Sequence, residues 1–528
     1  MMKVMARGLG RERLVSLLVL LTALAGIGAI AVLLGADGNY DLRNYHFYVG
    51  YALFNKPVGY DLAPAQIQSY LHPALDGLLY KLWRALNPAP RLLTFVWAVP
   101  QAVAVWLAYG IARETIPAGT PARLALCLLA TLIGGLGAAS LGVVGTSMSE
   151  AIPDALLLGA VLLALRDLRL GPAAWRLLLA GALAGVAVGL KLTTASYAVA
   201  CGAGLLLAPG MGAPGVRARR MLAFGLGGVV ALLAVGGPWW WALYKAFGNP
   251  LFPFYNAVFR SPDYGPFNWF DDRFFPRTVL QWVFYPLWWA FAPSTLVSEE
   301  PIRDGRIALG LLAALGILAG RAIAGPTRRP SAAACWCAIW FVVAYVLWLR
   351  LFSIVRYAAG LELLSGVVIV AGIGAVLPAR LLTVRVAAAS LAAGLLIGGT
   401  VLPIWERRPN PGERFLSVQM PQLPPDSLVL MLVATPASYL AASQPATVRF
   451  VGLNNSLLRL DSTFGLQGRV ERAIAGQAGP IWGIEKTDAF AGEADQSLRR
   501  YRLHRTEDCR AILSNQDTHL QVCRLARD

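Results

Sequence analysis

Apolar runs of membrane-crossing length recur along this chain as far as residue 404 and then stop. They fall at about 14–35, 92–112, 123–143, 154–166, 177–190, 192–208, 221–243, 306–324, 332–349, 357–378 and 386–404. A hydrocarbon layer about 30 Å thick takes about twenty apolar residues per helix, so the pattern predicts a mainly α polytopic membrane protein with about eleven spanning helices. The windows 154–166 and 177–190 are short, as expected of helices held inside a bundle or slanting into a cavity. Thr278 to Val297 is also apolar, but it carries Trp282, Phe284, Tyr285, Trp288 and Trp289. Trp and Tyr prefer the headgroup boundary, so an interfacial or re-entrant helix is expected there.

After Trp405 charged and polar residues return, with turn signals and short apolar runs such as Leu428 to Val433. The expected division is a membrane domain over 1–404, carrying large outer loops at 36–91 and 244–305, and a small α/β extracytoplasmic domain over 405–528.

Composition sharpens this picture. The 528 residues are 57% hydrophobic and 14% charged, with mean hydropathy +0.57, which excludes an ordinary soluble globular chain. The net charge of +17 lies in arginines set singly or in small groups between apolar runs, not along one face, so it is a topology signal and nucleic acid is not an expected partner. Lys3, Arg7, Arg11 and Arg13 precede the first window, which is too long for a signal-peptide core. With the N-terminus cytoplasmic, the short inside loops hold Arg113 and Arg123, then Arg166, Arg169 and Arg176, then Arg217, Arg219 and Arg220, then Arg321, Arg328 and Arg329, then Arg380 and Arg385. Cys127, Cys201, Cys335 and Cys337 lie in apolar windows. Cys509 and Cys523 are the one pair in the outer region, where an oxidising compartment permits a disulfide whose geometry spacing alone does not establish.

On this topology the unexplained polar residues gather outside. The 36–91 loop is too long for a connector. A helical start to it would place Asp41, Tyr45, Tyr48 and Ala52 on one face; the plainer alternative is an interfacial helix with a solvated aspartate. Glu150 and Asp154, four apart in SMSEAIPDALLLG, repel unless a cation or proton lies between them or a positive group opposite. Lys191, alone at the apex of an apolar hairpin, must snorkel or meet an anion. The 244–305 loop holds Asn249, Arg260, Asp263, Asp271, Asp272 and Arg273 among prolines and aromatics that exclude one long helix. Arg350 and Arg356 sit at an outer helix junction, against the charge bias, and so call for an anionic partner such as phosphate.

These residues resemble, in order and in side, the motifs of the GT-C superfamily of polyprenyl-phosphate-sugar-dependent glycosyltransferases, the group that includes aminoarabinose transferase and the protein O-mannosyltransferases. Asp41-Leu42-Arg43-Asn44-Tyr45 is similar to that family's acidic DExxY motif, with Leu42 in the second place. Leu71-His72-Pro73-Ala74-Leu75 with Tyr80 is similar to its KPPL stretch, with His72 for the basic residue. Asp154 resembles its second acidic position, Lys191 its GxxxxK lysine, and Arg356-Tyr357 its RY pair; Pro238-Trp239 with Gly248-Asn249-Pro250 is similar to a stretch of bacterial members.

The resemblance covers roughly 30–360 and implies inverting sugar transfer from a polyprenyl-phosphate carrier to a glycan, lipid or protein acceptor. It places the chain in a bacterial inner membrane, with active site and C-terminal domain periplasmic. Asp41 is then the expected general base. Lys191, Arg356 and His72 are expected to hold the donor phosphate. Tyr45, Tyr48, Asn249 and Arg260 are expected to line the substrate. Asp41, Glu150 and Asp154 suit a divalent cation such as Mg, Mn or Ca, although the two cationic residue types can neutralise phosphate without one. The rival readings are a ligase or polymerase using a diphosphate-linked donor, and a transporter.

Overall fold

The computed structural model describes residues 2–325, 329–378, 380–432, 437–453, 455–458, 461, 463–487 and 491–528. It is mainly helical with a small C-terminal sheet. Among the described residues six helices are long and apolar enough to cross a membrane: Gly10–Leu34, Pro90–Thr115, Pro214–Phe247, Arg306–Ile323, Ala332–Leu351 and Val355–Val376. The eleven spans expected are therefore not reached on length and composition. Four further apolar helices, Arg123–Gly135, Ala174–Leu190, Leu192–Leu207 and Leu382–Gly398, are shorter. Ala151–Leu170 carries Asp154, Arg166, Asp167 and Arg169. The 123–143 window is cut because its helix ends at Gly135 and a new short helix, Ala138–Gly142, begins. The aromatic segment at 278–297 forms only a short helix, Val279–Phe284, and a following 3-10 turn.

The chain forms two compact units. The first comprises Met1–Leu34, Phe95–Val235 and Asp271–Trp405. Its helices meet through glycines. A methyl group on Gly134 would strike the Leu363 carbonyl and one on Gly366 the Ala130 carbonyl, so Arg123–Gly135 and Ala359–Val376 run backbone against backbone. Gly181, Gly185 and Gly227 do the same between Ala174–Leu190 and Pro214–Phe247. In an apolar solvent, where exclusion from water cannot drive helices together, such close approach supplies the dispersion contacts that do. Gly366→Val is expected to cost about 1–3 kcal/mol by overpacking, read as a lower unfolding temperature in detergent; an unchanged temperature would show that the helices are free to part.

At one end of this unit the arginines pair in a row. Arg113 meets Glu12 at 2.7 Å, Arg169 meets Glu114 at 2.5 Å and Arg220 meets the buried Asp167 at 2.8 Å.

The second unit comprises Gly35–Thr94, Gly236–Phe270 and Glu406–Asp528. Its strands are β1 (Val418–Gln419), β2 (Leu428–Met431), β3 (Arg449–Gly452), β4 (Ile481–Lys486), β5 (Leu503–Ser514) and β6 (Leu520–Arg527), ordered β1-β5-β6-β4-β2-β3. β2 is parallel to β3 and β4, and all its residues are buried, as a parallel strand covered on both faces requires. Leu62 exchanges backbone hydrogen bonds with Phe450 and Gly452, extending the sheet into the first loop. Leu62, Tyr70, Phe247 and Phe252 share one apolar core with Leu430, Val451 and Val470, so the first large loop and the part of the second up to Phe270 fold with the C-terminal region.

Cys509 and Cys523 face each other across β5 and β6 and form a disulfide. Closing a loop of this length removes about 3 kcal/mol of chain entropy from the unfolded state. Cys509→Ser with Cys523→Ser should lower stability by about that amount in denaturant unfolding of the full chain; equal stability would contradict a formed bridge.

Candidate functional site

Within the first unit, four of the predicted residues converge at the end of the helices opposite the paired arginines. The Ala151–Leu170 helix separates Glu150 from Asp167 by about 25 Å at its ordinary rise. Lys191 ends the Ala174–Leu190 helix by turning to an extended conformation, φ −150°, which sends its side chain off the helix axis. Its ammonium donates to the Met148 carbonyl at 2.9 Å and to Glu150 Oε1 at 2.6 Å. It also lies 5.4 Å from the centre of the Tyr357 ring. The guanidinium of Arg356, in the 3-10 turn Val355–Ala358, lies 5.2 Å from the centre of that ring and donates to its hydroxyl at 3.4 Å. Tyr197 donates to the Tyr357 carbonyl and fixes the turn. One phenol thus gathers two cations contributed from distant points of the sequence.

Glu150 is 4% exposed, and among the described residues its Oε2 has no hydrogen-bond partner. The residue lines a narrow cleft with Trp97, Pro100, Thr146 and Ser149. Asp154, equally buried, packs beside Gly360, where a methyl group would come within 3.1 Å of both its Oδ1 and the Tyr197 ring. Lys191 therefore supplies the positive group that the Glu150–Asp154 spacing called for.

Three acidic and basic residues that sequence reasoning missed hold this region. Glu362 accepts the N–H groups of Ala139 and Ser140, each at 2.9 Å. Asp304 accepts that of Ala138 at 2.9 Å and pairs with the fully buried Arg306 at 2.6 Å. The orphan donors at the start of Ala138–Gly142 are thereby satisfied, which anchors the stretch leading to Glu150. The signal was available: Glu362 is an ionisable residue inside the apolar window 357–378. Nearby, burial would raise the Asp271 carboxyl, but the hydrogen-bonded Arg273 beside it holds it below its ordinary value, and the charge of Arg356 acts in the same sense.

The other predicted residues lie in the second unit. Asp41 is half-buried, and Tyr45 donates to its Oδ2 at 3.4 Å. Tyr48 does not share their face: it donates to Asp61 at 3.0 Å. A π-helical turn over Leu42–His46 carries more residues per turn than an α-helix, so the expected i, i+4, i+7 stripe is broken after Tyr45. Asp61 also accepts two hydrogen bonds from the buried ammonium of Lys56, at 2.8 and 3.0 Å, and one from the Phe450 N–H, while Lys56 donates a third to the Val448 carbonyl at 2.7 Å. Burial pushes the Asp61 carboxyl up and the Lys56 ammonium down, each opposed by the other's charge. Nothing in the sequence reasoning singled out this pair. His72 accepts the Ala74 N–H at the start of the Ala74–Leu86 helix. Asn249 is fully buried, its amide bonded to Leu251, Phe254 and Asn256 within its own loop. Arg260 is exposed in a left-handed turn.

Among the described residues no three His, Cys, Asp or Glu side chains converge as a metal-binding group. No family model matches this sequence, and no curated protein matches it either.

Proposed function

We propose that the chain is a multi-pass membrane glycosyltransferase of GT-C type that moves a sugar from a polyprenyl-phosphate carrier to an acceptor on the periplasmic side of a bacterial inner membrane. The observation that carries the proposal is the meeting of Lys191 and Arg356 on the Tyr357 ring, beside the buried Glu150. In the proposed reaction an acceptor hydroxyl attacks the anomeric carbon, a new C–O bond forms, and the bond to the carrier phosphate breaks with its electron pair leaving on oxygen. The phosphate gains charge in that step, and fixed cations in a poorly hydrated setting stabilise it more in the transition state than in the donor. The acceptor proton needs a base; the reading rests here on the resemblance, which gives the role to Asp41 in the second unit.

Topology supports the same reading. Residues 35–94, 236–270 and 406–528 share one core and so belong on one side of a membrane. An even number of crossings must then separate each from the next. In this reading charge bias favours the cytoplasm for the arginine-paired end of the first unit, and the disulfide of the second unit suits an oxidising compartment.

Mass spectrometry of glycolipids and glycoproteins from cells with and without the gene tests the proposal. A glycan form lost with the gene and restored by the wild-type chain but not by Arg356→Gln is expected; an unchanged glycan profile would contradict it.

A further inference from the structure

We propose that the second unit carries a binding groove for an anionic saccharide, walled by Arg469, Arg472, Arg500 and Phe464 over a floor left bare by Gly468. The groove has a volume of about 570 Å³, inside the range of about 300–1,000 Å³ usual for small-molecule sites. It runs along the first turns of the Gly465–Ala475 helix, where Gly465, Gly468, Arg469 and Arg472 follow at the spacings that share one helix face.

The two glycines have different reasons to be there. A methyl on Gly465 would come 2.7 Å from the Pro262 carbonyl, so packing requires it. Around Gly468 the nearest atom is the tip of Arg472, at an ordinary 3.4 Å, and the backbone is helical. Neither crowding nor conformation calls for glycine at that point, and glycine inside a helix weakens it relative to alanine. What its lack of a side chain does is keep the floor open.

Charge gives the second argument. Arg469 is committed to both oxygens of Asp263, at 2.9 and 2.6 Å, and to the Ala246 carbonyl. Arg500 holds Glu471 at 2.9 Å. Arg472 makes no side-chain hydrogen bond among the described residues, so three guanidinium groups face two carboxylates and one positive charge is left over the floor. The half-buried Phe464 ring lines the same groove, held by Tyr264 and Phe267 at centroid distances of 5.8 and 6.0 Å. A flat apolar ring and a guanidinium that no carboxylate holds by a hydrogen bond, set in one groove, fit a pyranose that bears a carboxylate or a phosphate: the ring takes the sugar's C–H face and Arg472 its anion.

Calorimetric titration of the full chain in detergent tests this directly, and because it reads binding it does not depend on transfer activity. Trigalacturonate and glucose 6-phosphate distinguish a carboxylate from a phosphate ligand, with maltotriose as the neutral control. Binding of at least one charged sugar, and none of maltotriose, is expected. Arg472→Gln should weaken it roughly tenfold or more. Gly468→Leu should weaken it comparably by filling the floor, while Gly468→Ala and Gly468→Leu both leave the melting temperature equal to or above that of the wild type. Absence of binding by both charged sugars, equal binding of maltotriose or of tetraglutamate, or unchanged affinity in Gly468→Leu would each overturn the proposal.

Discussion

Lys191→Met is expected to lose both stability and transfer, and the two losses should be separable. The variant leaves the buried Glu150 carboxylate without its 2.6 Å partner. Breaking one side of a buried ion pair costs about 3–5 kcal/mol; the Lys191 side chain is 21% exposed, which places the expected cost at the low end of that range. Pairing the change with Glu150→Gln removes the stranded charge, so the double variant should recover most of the unfolding temperature. It should not recover transfer, because the cation facing the leaving phosphate is still missing, and such a group is worth about 10²–10³ in turnover. Parallel unfolding and turnover measurements on the single and double variants decide this. A double variant that is both stable and active would show that Lys191 is there only to neutralise Glu150.

The second large effect concerns Asp41. Asp41→Asn keeps the shape and an oxygen for the Tyr45 hydroxyl, so the folded protein should be retained. A base in the transition state contributes about 10²–10⁴-fold, and the loss should appear in kcat at saturating acceptor rather than in KM. Full activity in this variant would remove the base assignment and leave the cation cluster untouched, because the two are argued from different units.

What could be read from the sequence follows from how rare charge is in an apolar chain. Glu150, Asp154, Lys191 and Arg356 stood out singly because each lies at the end of an apolar run, and the structure gathers these four. Their partners were not legible. Lys191 and Glu150 are 41 positions apart, and no local pattern announces such a contact. The joining of the first large loop to the C-terminal sheet is hidden for the same reason, since Leu62 pairs with residues almost 390 positions away. The Asp41–Tyr48 stripe failed for a different cause: the pattern assumed α-helical periodicity where the backbone takes a π turn. Helix lengths were overread where a glycine cluster and the Glu362 carboxylate stop one helix and start another inside a continuous apolar window. The α/β character of the C-terminal region and the apolar helical body were readable because each follows from composition over many residues, not from single contacts.

Purified chain in lipid vesicles, given a radiolabelled polyprenyl-phosphate sugar and an acceptor extract, offers the most direct reading of the central claim. The wild type should release polyprenyl phosphate as label enters the acceptor, and Arg356→Gln, folded to the same extent, should release it about 10²-fold more slowly. A chain that leaves the monophosphate donor intact, or an Arg356→Gln variant that consumes it at the wild-type rate, would contradict the account.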